Sequence, residues 1–526
     1  MQIIPDNYPQ VHQGATYVDL VIQALARWPD RQAIVDVGGL KLTYRELGDR
    51  ILRFASTLES LELKVGDGLA QLASNRADAF VTMVAALRLG VRYTPLHPMG
   101  SLEDQLYILK DADVSLLVVD CPVFAERGRE LCSQSSDKVK TVSLGDVDYA
   151  ENLIDMAEHA DTAVAAPLPS SNDIAWLAYT GGTTGKPKGV IHTQNSMAAT
   201  AIVSEAEWEW PQEIRYLACS PISHAAGFLV VPTLLRGGSV YLLPGFDPDK
   251  VIDLVEFEGI NTLFLVPTMI YVLLDYPRTS EADLSNLDTL IYASAPMSPT
   301  RLQDAIHQFG PVMMQCYGQT ESIHLTFMGR ADHDVTRQER FLSCGRAPAG
   351  NLVAILDENG DPLPQGDIGE VCARGATIML GYWNQPEATA EVFRNGWLHT
   401  GDLGYQDEDG FIYLVDRVKD MIISGGFNVY SKEVEDALVD HPDVAQCAVI
   451  GAPDEKWGEK VVAVVKRRED TVTDQELMAL VKEKKGAVHA PKQVEFVEEI
   501  PLTSLGKVDK NALRGQFWTD QTRMVN

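Results

Sequence analysis

The segment Tyr179-Thr-Gly-Gly-Thr-Thr-Gly-Lys-Pro-Lys-Gly-Val190 places four glycines, four hydroxyl- or phenol-bearing residues and two lysines within twelve positions. Glycines let backbone N–H groups come close to an anion, hydroxyls add donors and can ligate Mg²⁺, and lysines neutralise phosphate charge. That chemistry suits the polyphosphate of a nucleotide triphosphate. The common strand–loop–helix phosphate motif is the wrong template. It needs four residues between its first glycine and the Gly-Lys pair, then Ser or Thr. Here three residues separate Gly181 from Gly185, and Pro187 follows Lys186. A proline has no N–H to offer a phosphate at a helix start.

Five more segments follow in order: Pro221-Ile-Ser-His-Ala-Ala-Gly227, Tyr317-Gly-Gln-Thr-Glu-Ser322, Thr400-Gly-Asp402, the run from Arg417 through Lys419 and Gly425-Gly426-Phe427 to Asn428, and Pro501-Leu-Thr-Ser-Leu-Gly-Lys507. Taken together, the six resemble the acyl-adenylate-forming superfamily, which includes acyl- and aryl-CoA synthetases, peptide-synthetase adenylation domains and luciferase-type enzymes. The resemblance spans roughly residues 20–515. It implies an ATP-dependent carboxylate–CoA ligase. A carboxylate attacks the α-phosphate of ATP, pyrophosphate leaves, and the acyl-adenylate passes its acyl group to the CoA thiol. Because two anions must meet, such a site needs cations and Mg²⁺.

The resemblance also implies roles. Thr180, Gly181, Gly182, Thr183, Thr184, Gly185 and Lys188 cradle the phosphates, with Lys186 beside them and Thr184 near the metal. Glu321 binds Mg²⁺ directly or through water, Thr320 contacts the α-phosphate, and Tyr317, with Gly318 and Gln319, lies at the adenine. Ser294-Ala295-Pro296 resembles the adenine-side loop. Asp402 and Arg417 hold the ribose, a carboxylate being able to accept two hydrogen bonds from a diol. Lys507 bridges the acid's oxygen and the α-phosphate; Leu502 replaces the basic residue common before the threonine. Lys419 is the hinge about which the C-terminal domain swings, bringing in Lys507 in one pose and Gly425, Gly426 and Phe427 in the other to shape a thiol tunnel. His224 lies where the acid pocket meets that tunnel. No acid occurs from Ser220 to Val231. Amino-acid-activating relatives place an aspartate near there, so an α-amino acid is disfavoured. Ala225, Ala226, Phe228 and Leu229 favour an aromatic or aliphatic acid. Lys466-Arg-Arg468, Lys482, Lys484 and Lys485 are weighed as CoA 3′-phosphate contacts against solvated faces. A stand-alone adenylation enzyme loading a carrier-protein phosphopantetheine is the alternative. A non-catalytic scaffold is disfavoured by intact Lys507, Glu321 and Asp402, and a luciferase-like oxygenase lacks specific support.

Stepping out to the elements, strand-like and helical runs alternate through residues 18–320. Tyr44–Ser60 reads as a helix, and Leu116–Asp120, Ile174–Ala178, Thr262–Val266 and Thr289–Ala293 read as strands. Near residue 340 the texture becomes short strands with Gly-bearing turns. A further unit starts near Asp416, where Ser431 is expected to N-cap a helix. The expected fold is α/β. A large N-terminal domain (1–418) holds two α/β subdomains and a small β-barrel-like subdomain, and a small mobile α+β domain (419–526) follows.

At 526 residues the chain exceeds one core. The net charge of −30 should repel nucleic acid and anionic membrane surfaces. From Lys419 onward, 15 basic and 19 acidic residues leave −4, so −26 falls on residues 1–418, and a polyanion must be held by local cations. Seven scattered cysteines without Cys-x-x-Cys spacing imply neither a disulfide framework nor a zinc site. With no signal-like start and no spanning segment, a cytoplasmic protein without integral membrane association is expected. A homodimer is compatible with the chain, which does not itself fix an assembly.

Overall fold

A computed structural model describes residues 14–180, 186–454, 456–469, 471–502 and 508–518. Their backbone contacts divide them into two compact units. One holds 14–180, 187–353 and 373–392. The other holds 354–372 and 393–518, with Lys186. The expected residues Gly181, Gly182, Thr183, Thr184, Gly185 and Lys507 lie outside the described residues.

The first unit is built on two eight-stranded sheets. In one, Gly68–Leu72 is a central strand, flanked in parallel by Arg92–Pro95 and Val114–Asp120. In the other, Arg215–Ala218, Ser239–Leu242, Thr262–Leu265, Thr289–Tyr292 and Met313–Gln319 run parallel. Parallel strands are covered on both faces, so they read as near-continuous apolar runs. Gly68–Leu72 is buried at every position. Each sheet ends in antiparallel strands, and those edges carry two of the sequence motifs. Ile174–Thr180 pairs with Lys188–Thr193, and Met313–Gln319 pairs with Ser322–Met328.

The helices have readable starts. Thr43 and Glu46 form a reciprocal capping box ahead of Tyr44–Ser60. That helix turns Leu47, Ile51, Phe54 and Leu58 into the core. Each such side chain contributes about 1.5–3 kcal/mol by leaving water. Thr193 ends the strand after the phosphate segment and caps the helix Gln194–Glu207, so strand and helix are joined without slack.

The second unit contains most of one five-stranded sheet and all of another. Trp397–Gln406 and Ile412–Arg417 form an antiparallel hairpin in the first. In the second, Val444–Asp454 and Gly458–Arg467 pair antiparallel along their length, and Gln493–Phe496 adds in parallel. Helices Ser431–Val439 and Asp474–Lys485 supply Val434, Leu438, Leu477 and Val481 to its core.

Ser431 corrects the sequence reading. It begins its helix as the first helical residue, and Tyr430 holds the cap position with no side-chain cap bond. The Ser431 hydroxyl is engaged elsewhere. It donates to Asp416 Oδ1 at 3.1 Å and accepts from Lys510 Nζ at 2.7 Å. Lys510 also pairs with Glu435 at 2.7 Å, and Arg514 pairs with Asp420 at 2.8 Å. Burial alone would lower the Lys510 pKa, but Glu435, Asp420 and Asp416 hold it above the ordinary value. A buried ionic cluster therefore ties the segment Asp416–Asp420 to the helix Lys510–Arg514. Breaking such a pair strands a charge in low dielectric.

Candidate active site

Ile174–Thr180 and Lys188–Thr193 pair antiparallel, with Thr180 and Lys188 the last register partners. Lys188 thus opens a strand where the commoner phosphate loop would open a helix, which explains the misfit. Tyr179 anchors one side by donating to Asp111 Oδ2 at 2.6 Å. Gly189 packs closely against it: an added Cβ would lie 3.0 Å from Tyr179 Cζ and 3.1 Å from Leu177 Cδ1, so those side chains would have to give way slightly.

Lys188 and Glu321, 133 residues apart in the chain, meet through Tyr382. Lys188 Nζ sits 4.9 Å from the Tyr382 ring centroid, and the Tyr382 hydroxyl donates to Glu321 Oε1 at 2.8 Å. A cation on a ring face is electrostatically favourable. Glu321 Oε2 has no partner among the described residues. Glu321 and Thr320 form the turn of the Met313–Gln319/Ser322–Met328 hairpin, whose last register pair is Gln319 and Ser322. Two bonds fix that turn. His192 Nε2 lies 2.7 Å from the Thr320 carbonyl, and Met379 N donates to the Glu321 carbonyl at 2.9 Å. A carbonyl only accepts, so the His192 Nε2 nitrogen carries the proton, and Nδ1 faces Ser196 Oγ at 3.2 Å. Burial holds His192 neutral, with its pKa lowered to about 4. Gly318 is obligatory here, since a Cβ would lie 1.9 Å from the Ile323 carbonyl oxygen. Tyr317 and Gln319 are half-buried beside it. Ser294 has φ 73°, a left-handed backbone unusual for serine, and Ser294, Ala295 and Pro296 are exposed after the strand Thr289–Tyr292. Such strain is found at functional sites more often than elsewhere.

His224 lines a cavity of about 30 Å³ together with Met83, Trp176, Met197 and Phe228. That is room for one or two waters. Ser223 Oγ lies 2.9 Å from His224 Nδ1, and the His97 ring packs edge-on at 4.9 Å. Burial, with His97 adjacent, pushes the His224 pKa down to about 3, so it is neutral at physiological pH. The loop is stapled by Asn75, which accepts from Ile222 N at 2.8 Å and donates to the Ser220 carbonyl at 2.8 Å. A Cβ on Gly227 would lie 1.9 Å from the Ile222 carbonyl oxygen.

In the second unit, Asp402 and Arg417 face each other as register partners, with Arg417 Nε 3.2 Å from Asp402 Oδ1. Thr400, in the same strand as Asp402, donates to the Val371 carbonyl at 2.6 Å and accepts from Asp402 N at 3.1 Å. Lys419 lies in the turn after Arg417, where Asp420 N and Met421 N both donate to the Arg417 carbonyl. Burial and the neighbouring Arg417 lower the Lys419 pKa. Gly425 and Gly426, with φ of 60° and 82°, form the two-residue turn between Ile422–Ser424 and Phe427–Val429. Both angles suit a type I′ hairpin, for which glycine is favoured. Phe427 is exposed. Of the weighed basic residues, Lys484 pairs with Asp440 at 2.6 Å, and Lys482, Lys484 and Lys485 occupy the last turn of their helix, where cations complement its dipole. Glu370, Cys372 and His399 bring ligand atoms within 4.8 Å of one another. Arg394 lies 3.4 Å from Glu370 and 3.2 Å from His399, which disfavours a cation there.

The structure thus joins Lys188 to Glu321 and Asp402 to Arg417. Sequence reading missed Tyr382, His192, Asn75 and His97. Each acts on a residue distant in the chain, and none carries a local pattern.

Comparison with known proteins gives the family. Residues 21–383 match the AMP-binding enzyme family, and residues 433–507 match the AMP-binding enzyme C-terminal domain. The chain belongs to the AMP-binding enzyme family. Within it, the chain stands among the AMP-forming acid–thiol ligases. It is 43% identical to a medium/long-chain-fatty-acid–CoA ligase, FadD8, of Mycobacterium tuberculosis, over 96% of this chain and 91% of that one. It is 36% identical to a feruloyl-CoA synthase of an Amycolatopsis species, over 94% of this chain and 99% of that one. Among solved structures, ATP-bound MatB from Rhodopseudomonas palustris matches with a TM-score of 0.86 at 32% identity, covering 96% of this chain and 99% of that one. Among the described residues no helix is long and apolar enough to cross a membrane.

Proposed function

We propose that this enzyme converts an apolar aromatic or aliphatic carboxylic acid, ATP and CoA into the acyl-CoA thioester, AMP and pyrophosphate. In the first step the acid's carboxylate oxygen bonds to the α-phosphorus as the bond to pyrophosphate breaks. In the second the CoA sulfur bonds to the acyl carbon, AMP leaves, and the thiol proton is released. The observation that carries this reading is the Lys188–Tyr382–Glu321 link. It sets a cation and a carboxylate at fixed spacing beside the phosphate hairpin. The hard oxygen donor of Glu321, with Oε2 unpartnered among the described residues, fits Mg²⁺. When bound, the ion would draw off charge from the phosphates.

The other assignments belong to the same proposal. Thr183, Thr184 and Lys188 hold the β- and γ-phosphates, with Thr184 near the metal, and Thr320 faces the α-phosphate. Tyr317 and Ser294–Pro296 lie along adenine, and Asp402 and Arg417 hold the ribose diol. Neutral His224 borders the acid. The boundary at 418/419 marks the domain that swings about Lys419, so that Lys507 serves adenylation and Gly425–Phe427 serves the thiol.

A purified sample given ATP, CoA and a panel of aryl and fatty acids should release pyrophosphate and form a thioester with at least one acid. Absence of both across the panel contradicts the proposal. A pantetheinylated carrier protein in place of CoA tests the acceptor, and CoA should be the faster one. Tyr382→Phe removes the hydroxyl that orients Glu321 while keeping the ring beneath Lys188. Loss of one hydrogen bond to a charged group amounts to about 1.5 kcal/mol. Pyrophosphate release should therefore fall about tenfold in kcat/KM for ATP, and an unchanged value would remove Glu321 positioning from the account.

A further inference from the structure

The cavity beside His224 is lined mainly by apolar side chains, with Tyr17, Gln71, Ser74, Tyr93, Ser223 and His224 as its polar ones. Gln71 lies on the strand Gly68–Leu72, is 2% exposed and lines the cavity. Its side-chain Oε1 accepts a hydrogen bond from the Tyr93 hydroxyl at 2.9 Å. Its Nε2 is buried and has no partner among the described residues. Among the other lining side chains, Phe80, Met83, Trp176 and Phe228 offer no conventional acceptor, and none of Tyr17, Ser74, Ser223 and His224 hydrogen-bonds to it. A buried amide donor left unpaired is destabilising. Retaining one inside a substrate cavity fits a ligand that completes the bond.

We propose that Gln71 is a specificity-determining residue, whose Nε2 donates to a neutral oxygen on the body of the carboxylic acid: a hydroxyl, ether or ketone. This rests on the ligase reading above. The oxygen is neutral because no Asp, Glu, Lys or Arg side chain lines the cavity among the described residues. A second carboxylate would be buried there without a counter-charge, which is far more costly than burying a hydroxyl or ketone. The partner is an acceptor because Tyr93 already occupies Oε1, while the NH₂ group of this cavity-lining residue is unpaired among the described residues. The favoured substrates are therefore oxygenated aromatic or aliphatic monocarboxylic acids, above plain hydrocarbon acids and dicarboxylic acids. A site built to hydrogen-bond a substrate group discriminates strongly against the analogue that lacks it.

The test uses the full chain with two parent acids, 3-phenylpropanoic and octanoic acid. Each is compared with its singly hydroxylated, methoxylated or keto derivatives and with one dicarboxylic analogue. Thioester formation is measured as kcat/KM. At least one neutral oxygenated derivative should exceed its parent by about tenfold or more, and the dicarboxylic analogue should fall below the parent. Gln71→Leu should bring the ratio of oxygenated to parent acid close to one. Because that change leaves the Tyr93 hydroxyl without its acceptor, the double variant Gln71→Leu/Tyr93→Phe removes both partners, and it should also give a ratio near one. A preference that survives in the double variant overturns the proposal. So does a wild type that forms thioesters from the parents yet favours no oxygenated derivative, an outcome that leaves the ligase reading standing. If no acid yields a thioester, the ligase reading fails and this inference falls with it.

Discussion

Lys507→Ala should abolish acyl-adenylate formation while largely sparing thioester formation from supplied acyl-AMP. Adenylation joins two anions, and a cation placed where charge builds up in the transition state is worth on the order of 10²–10³ in rate. The second half-reaction has no such need, because the acyl carbon of an adenylate already carries a good leaving group. Lys507 lies outside the described residues, but the chain on either side of it is well tied. Leu502 bridges to Val508, Asp509 N donates to the Pro501 carbonyl at 2.8 Å, and Lys510 is locked to Glu435 and Ser431. Lys507 and Lys510 therefore stand for two different uses of the same side chain. Lys510 is a buried structural cation whose loss should show as lower stability. Lys507 is assigned to chemistry, and its loss should leave the melting temperature in place. Equal loss of both half-reactions in Lys507→Ala would contradict the assignment. Lys419→Pro tests the hinge in the same assay. Proline fixes φ, and one half-reaction should suffer selectively. Equal effects on the two steps would remove the hinge.

Acidification from pH 7.5 to 5.5 should lower the stability of the first unit by about 3–5 kcal/mol. Four of its histidines are held neutral, chiefly by burial. His192 and His333 have pKa values lowered to about 4, and His224 and His324 to about 3. An unfolded histidine takes up a proton near 6.5. Between 6.5 and the folded values the unfolded chain thus binds more protons, and stability falls as pH falls. Above pH 6.5 the contribution is fully present. Each histidine costs about 1.4 kcal/mol per pH unit inside that window. Asp36 works in the opposite direction. Burial raises its pKa to about 6, so protonation on acidification restores part of the loss. Urea midpoints at pH 7.5, 6.5 and 5.5 measure the sum. A flat or rising series would mean that these imidazoles are not held neutral.

Part of the local structure was legible in the sequence. Residue spacing alone separated the Tyr179–Val190 segment from the strand–loop–helix motif, and the strand pair Ile174–Thr180 and Lys188–Thr193 supplies the reason. The helix Tyr44–Ser60 was legible from its apolar face, and the structure adds the capping box of Thr43 and Glu46 at its start. Ser431 was misread because its local pattern is a good cap, and only the fold brings Asp416 and Lys510 to its hydroxyl. Tyr382 is 61 residues from Glu321, and Asn75 is 147 from Ile222. Their side chains work through long-range contacts that leave no periodic trace. Gln71 was illegible for a related reason. It sits in a strand buried at every position, and what distinguishes it is a missing partner, which only packing reveals.

The central claim is that this chain couples adenylation of an acid to thioester formation. It is tested most directly by following ATP consumption in a single reaction with wild-type protein, CoA and an accepted acid, and quantifying every nucleotide and acyl product. The account predicts AMP, pyrophosphate and acyl-CoA in equal amounts. Formation of ADP and inorganic phosphate, or of AMP and pyrophosphate with no matching thioester, would contradict it.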